Sequence, residues 1–214
     1  TGIHVASYGK DSGDMSLIDV IESIAEIDGL ERIRTSSVEP LIITEEFVQR
    51  LGAVDKFCPH FHLSLQSGSD SVLSRMNRRY TSQEYREAVN TIRRTFPYAA
   101  ITTDVIVGFP EETDQEFEQT YEFLKELKLY ETHIFKYSPR NGTKAAEMPD
   151  QVDPSVKNSR SECLIKLNEK NKKEFENLHI GQIVDILIET HENGYATGHT
   201  KNYIKVGIKT LENL

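Results

Sequence analysis

The chain has 214 residues, 37% of them hydrophobic and 28% charged, which is enough apolar material for one globular core with an appendage. Its net charge of -9 works against nonspecific nucleic-acid binding by bulk electrostatics, since phosphate contacts need clustered Lys and Arg. No apolar run is long enough to cross a bilayer, and the N-terminus lacks the basic-then-apolar order of a secretion signal, so a cytoplasmic protein without a membrane partner is expected.

Strands are expected over 2–7, 32–37, 61–65, 101–107 and 133–137, each followed by a helical segment or a structured loop. The first of these, Gly-Ile-His-Val-Ala-Ser, already reads as a buried strand directly after Thr1, so a piece of something longer is expected. Its unpaired edge would invite a dimer through that strand. Leu17, Ile18, Ile21, Ile24 and Ala25 form one apolar helical stripe, and Phe117, Tyr121, Leu124 and Leu127 form another. Thr81 with Glu84 and Thr113 with Glu116 fit capping boxes, in which hydroxyl and carboxylate satisfy orphan amides at a helix start.

Strands alternating with helices imply parallel pairing with right-handed crossovers, hence an open α/β sheet or a barrel. A doubly wound sheet gives near-continuous apolar strands. Here, by contrast, Phe61, Leu63 and Leu65 share one face while His62, Gln66, Thr102 and Asp104 fall on the other, as in a barrel whose lumen holds a polar ligand. An α/β fold with a partial, TIM-like parallel barrel over 1–178 is therefore expected. Its final part is a long charged helix over 155–178, in which the Lys run is read as a solvated face. Short β-like runs separated by turns follow over 179–214, an incomplete all-β module.

Several groups are candidates for chemistry. The segment 66–69, Gln-Ser-Gly-Ser, sits where a strand ends and a helix begins; its small residues either admit a ligand to backbone donors or make a simple turn. Asp104 in mid-strand is costly on an apolar face, so it is expected in the lumen, accepting hydrogen bonds from groups such as ribose hydroxyls. Arg75 or Arg78 offers a bidentate clamp for a carboxylate, and Arg140, after a rigid Ser-Pro turn, reaches towards a phosphate or base. His60 and His62 alternate onto one face with Cys58, but Pro59 interrupts the run and no neighbouring carboxylate or cysteine completes a metal shell. No metal site is expected. The two cysteines, Cys58 and Cys163, form neither a C-x-x-C pair nor a disulfide framework.

Taken in order, "TGIHVASYGKD", "RIRTSSVEP", "HLSLQSGSDSVLSRMNRRYT", "TDVIVGFPEET" and "FKYSPRNGTKAAEMPDQV" resemble the radical S-adenosylmethionine methylthiotransferases. Among these the first and last stretches are most similar to the tRNA threonylcarbamoyladenosine methylthiotransferases. The resemblance implies a partial radical SAM barrel acting on a modified adenosine beside the tRNA anticodon, with tRNA as partner. It implies S-adenosylmethionine near Ser37, Glu39, Gln66, Ser67, Arg78, Asp104 and Gly108, substrate RNA near Arg140, and a 179–214 segment similar to the start of a TRAM module. It also implies [4Fe-4S] clusters held by a C-x-x-x-C-x-x-C loop and by three further cysteines, none of which occurs in this sequence. The chain by itself is therefore expected to be colourless and inactive. A ribosomal-protein methylthiotransferase and a non-catalytic RNA-binding or scaffold protein are the other functional readings.

Overall fold

The computed structural model describes residues 7–9, 13, 15–192 and 194–209. The strand expected over 2–7, with the dimer edge drawn from it, lies outside the described residues except for Ser7. The first half runs α1 (Leu17–Ala25), a 3-10 turn (Pro40–Ile42), α2 (Glu45–Gly52), β1 (His60–His62), α3 (Asp70–Arg75), α4 (Ser82–Thr95) and β2 (Ala100–Val107). It continues through α5 (Asp114–Leu127), β3 (Glu131–Lys136), α6 (Lys144–Glu147) and the long α7 (Pro154–Asn177). The three strands form a parallel sheet in the order β1-β2-β3, and the helices between them are the crossovers that parallel pairing demands.

The 32–37 strand is reduced to two parallel bridges, Ile33 with Phe57 and Val38 with Leu63. Hydrogen bonds from Ile33 N to Lys56 O (2.8 Å) and from Val38 N to His62 O (2.9 Å) still lay this segment beside β1, so the arc gains a fourth, irregular member. Arg32 and Arg34 reach away from it to accepting carbonyls, His199 O at 2.8 Å and Thr200 O at 3.1 Å. β1 itself is shorter than expected, yet the face assignment holds: Phe61, Leu63 and Leu65 are buried in the main core with Tyr85, Val89 and Ile92 of α4.

Both capping boxes form, at Thr81–Glu84 and Thr113–Glu116. Two buried tyrosines donate to the backbone that follows β1, Tyr85 to Leu63 O and Tyr80 to Leu65 O, each at 3.2 Å. Leu63 O also accepts from the Thr103 hydroxyl, so side-chain donors stand in where the short strand has no ladder partner. The far edge of the sheet is closed by α7, where Asn168 Oδ1 accepts from Thr132 N at 2.7 Å and Lys172 pairs with Glu131 at 2.8 Å. A covered edge cannot recruit another strand.

A second, antiparallel sheet comprises β4 (Ile186–Glu192), β5 (Tyr195–Thr200) and β6 (Lys205–Lys209) in that order. Ile204 packs with Ala100 and Tyr130 of the first unit, and Asn202 donates to Tyr98 O at 3.0 Å.

Candidate functional site

The polar face sits at the C-terminal ends of the strands. Gln66 follows β1 with φ at +72°, a left-handed conformation that costs an L residue about 1–2 kcal/mol. It is held there by β2, since Gln66 N donates to Asp104 O at 2.8 Å and Gln66 O accepts from Ile106 N at 2.9 Å. The backbone latch presents the Gln66 side chain beside Asp104. Both line a cavity of about 580 Å³ with Ile106, Phe135, Tyr137 and Arg140. Three residues singled out from sequence, Gln66, Asp104 and Arg140, thus converge on one space. The Tyr137 hydroxyl is buried without a partner among the described residues, an unsatisfied polar atom of the kind that marks a ligand position.

The other sequence candidates are placed differently. Ser67 is buried against α5, its Oγ 3.1 Å from Thr120 Oγ1, and Gly68 N donates to the same hydroxyl. A Cβ on Gly68 would press on Thr120 Cα at 2.8 Å, so this glycine serves close packing onto α5. Arg75 is bound bidentately by Glu116 at 2.8 and 2.9 Å and is thereby committed to holding α3 against α5. Arg78 and Glu39 both lie near the Tyr80 phenol: burial pushes that phenol up to about 12, with Arg78 lowering and Glu39 raising it. They flank the end of β1, where Ser37 is exposed. Gly108 turns the chain after β2 with φ at +70° and donates to Glu112 Oε1 at 3.1 Å.

Deeper on the same face, His62 Nδ1 lies 2.9 Å from Thr102 Oγ1 and His62 Nε2 lies 3.3 Å from Asp104 Oδ2. His60 Nε2 touches the same Thr102 hydroxyl at 3.2 Å. Burial, with the Arg34 charge adding to it, lowers His60 to about 4, so its ring is neutral near pH 7. His133, directly opposite Asp104 in the β2-β3 register, stacks on His62 with ring centroids 5.8 Å apart. No local motif marks His133, and Tyr137 is marked only as the first residue of the 137–143 loop that carries Arg140. Their signal was the period-2 phase of 133–137, which puts His133 opposite the apolar Ile134.

A larger groove of about 930 Å³ lies among α3, α4, α5 and α7. Of the sequence candidates only Gly68, from the 66–69 segment, reaches it, and most of its charges are paired with one another, Arg86 with Glu126, Lys125 with Glu122 and Lys128 with Glu174. The smaller cavity at the strand ends is the one that gathers Gln66, Asp104 and Arg140.

Comparison with known proteins accords with this geometry. The family described as the Radical SAM superfamily matches residues 3–124. A threonylcarbamoyladenosine tRNA methylthiotransferase, MtaB, of Bacillus subtilis is 41% identical over 220 residues, covering 100% of this chain and 49% of the relative. A tRNA-2-methylthio-N(6)-dimethylallyladenosine synthase of Pelotomaculum thermopropionicum is 41% identical over 88% of this chain and 42% of the relative. The chain thus spans about half the length of the curated relatives it matches. Among solved structures, the coproporphyrinogen III oxidase of Escherichia coli, a radical SAM enzyme, superposes with a TM-score of 0.57 at 19% identity, over 72% of this chain and 36% of that one, which shows a shared fold. With the family model matched through α1, β1 and β2 and into α5, more than half of the chain, the chain belongs to the radical SAM superfamily.

Proposed function

We propose that this chain is the barrel portion of a tRNA methylthiotransferase acting on a threonylcarbamoyl-modified adenosine beside the anticodon, and that S-adenosylmethionine lies in the cavity at the strand ends. The observation that carries the reading is the convergence of Gln66, Asp104 and Arg140 on one cavity in a chain aligned along its whole length with a curated enzyme of that activity.

The residues present fit the nucleoside. Asp104 accepts from a ribose diol, and the Gln66 amide, which has no side-chain hydrogen bond to another described residue, supplies both a donor and an acceptor. Ile106 and Phe135 give an apolar wall for a base. The buried Tyr137 hydroxyl gains a partner. Arg140 is exposed at the cavity rim, where it meets a phosphate or a base edge. Ser37, Glu39 and Arg78 stand outside the cavity lining and are assigned, on the family resemblance, to the methionine portion. Gly108 shapes the β2 end, and Ser67 acts behind the site by anchoring the turn that carries Gln66. The segment over 179–214 is assigned as the start of a TRAM-like module that contacts tRNA.

The residues present do not fit an iron-sulfur cluster. Such clusters are held by several thiolates, whereas the sequence has two cysteines, Cys58 buried before β1 and Cys163 exposed on α7. No step is assigned to a cluster on this chain. Nucleoside analysis of tRNA from a strain deleted for the full gene tests the substrate: loss of the methylthio group from threonylcarbamoyladenosine supports the reading, and an unchanged nucleoside profile contradicts it.

A further inference from the structure

His62, Asp104 and His133 stand on, respectively, β1, β2 and β3, and each offers one ligand atom, the three lying within 4.8 Å of one another. We propose that they form a binding site for a single divalent transition-metal ion such as Zn²⁺. Two imidazoles and one carboxylate are a donor set that borderline-soft divalent ions accept, with further positions left open. The triad owes nothing to local sequence spacing; it is assembled by the strand register, which places Asp104 opposite His133 and His62 opposite Thr102.

The separations suit a metal. Ligands about 2.1 Å from a tetrahedral ion sit about 3.4 Å from each other, and His62 Nε2 and Asp104 Oδ2 are already 3.3 Å apart. His133 is exposed and has the rotamer freedom to close the remaining distance. The surroundings also resolve the tautomer. When a metal takes the Nε2 lone pair, the His62 ring proton must sit on Nδ1, and Thr102 Oγ1 stands 2.9 Å away to accept it. The Thr102 hydroxyl then donates onward to His60 Nε2 at 3.2 Å. Outer partners of this kind, which fix the ring and its tautomer, are what metal-bound histidines recruit. The proton moves from one ring nitrogen to the other, so the ion replaces the Nε2–H···Asp104 contact without changing the charge of the imidazole. Asp104 also borders the 580 Å³ cavity, which puts the metal's open positions beside the proposed ligand space.

Calorimetric titration of the full 214-residue chain with ZnCl₂, paired with visible absorption of the Co²⁺ form, tests the site. One ion per chain is expected. His62→Ala, Asp104→Asn and His133→Ala should each abolish binding and the Co²⁺ d–d bands, and circular dichroism should report an unchanged fold, above all for the exposed His133. Thr102→Val should weaken affinity by about 10–100-fold. Glu189→Gln, which disrupts the separate His199–Glu189 pair (2.8 Å), should leave binding intact. Absence of stoichiometric binding, or binding that survives the three ligand variants, would overturn the proposal.

Discussion

The backbone amide of Gln66 donates to the carbonyl of Asp104 at 2.8 Å, so the residue that ends the β1 segment in a left-handed turn is latched to the β2 residue whose carboxylate lines the same cavity. Strain at the turn and placement of the carboxylate are thereby coupled. Gln66→Gly relieves an unfavourable φ worth about 1–2 kcal/mol while removing a buried amide, so its stability should stay within about 1 kcal/mol of the parent. Its affinity for S-adenosylmethionine should fall. Urea denaturation and ligand titration on one preparation check both halves; a parallel loss of fold would mean that the side chain serves packing instead.

Gly108 is a second backbone requirement. Its φ is +70°, and a Cβ would collide with the Lys157 stem, whose ammonium donates to Tyr137 O at 3.1 Å. Gly108→Ala is expected to cost about 2 kcal/mol, from left-handed strain and displacement of Lys157. A midpoint shift in urea with an unchanged slope is the expected signature.

Arg160 and Glu112 form a buried ion pair at 2.7 Å, with side chains 6% and 4% exposed. Burial pushes the Glu112 carboxyl up even though Gly108 N and Arg160 both favour its charged form. Arg160→Met would strand that carboxyl and is expected to cost about 3–5 kcal/mol. Arg160→Met combined with Glu112→Leu should recover much of the loss, and thermal melts of the two variants decide it.

Glu116 gives the pH dependence. Burial works against its charge, but hydrogen bonds from Arg75, Ser71 and Thr113 outweigh that and hold it down at about 2. A carboxyl whose folded value is depressed adds stability that is complete above its unfolded value of 4.5 and is lost as the pH falls towards about 2. The stability gap between the parent and Glu116→Gln should therefore narrow across that interval. A gap of constant size would remove Glu116 from the acid response.

How far the sequence could be read follows from what is local. Thr81–Glu84 and Thr113–Glu116 announce their helices because a capping box is complete within four residues, and the face carrying Phe61, Leu63 and Leu65 follows from period 2 alone. The 32–37 segment had the composition of a strand, but Arg32 and Arg34 bind carbonyls of the distant β5, a tertiary demand invisible in its own residues. Arg75 and Ser67 looked equally fit for ligands, and only the position of α5, bringing Glu116 and Thr120 against them, commits them to packing. His133 escaped notice for the converse reason. Its partners, His62 and Asp104, are 71 and 29 positions away and meet it only through the register of the three strands.

The cavity bordered by Gln66, Asp104 and Arg140 is proposed above to hold S-adenosylmethionine. Calorimetry of the chain with S-adenosylmethionine, in chelator to keep metal out, tests it most directly when run on the parent, Asp104→Ala and His133→Ala. Binding lost in Asp104→Ala but kept in His133→Ala, a residue of the metal triad outside the cavity lining, is the predicted result. An isotherm unchanged by Asp104→Ala, or no binding by the parent chain, would contradict it.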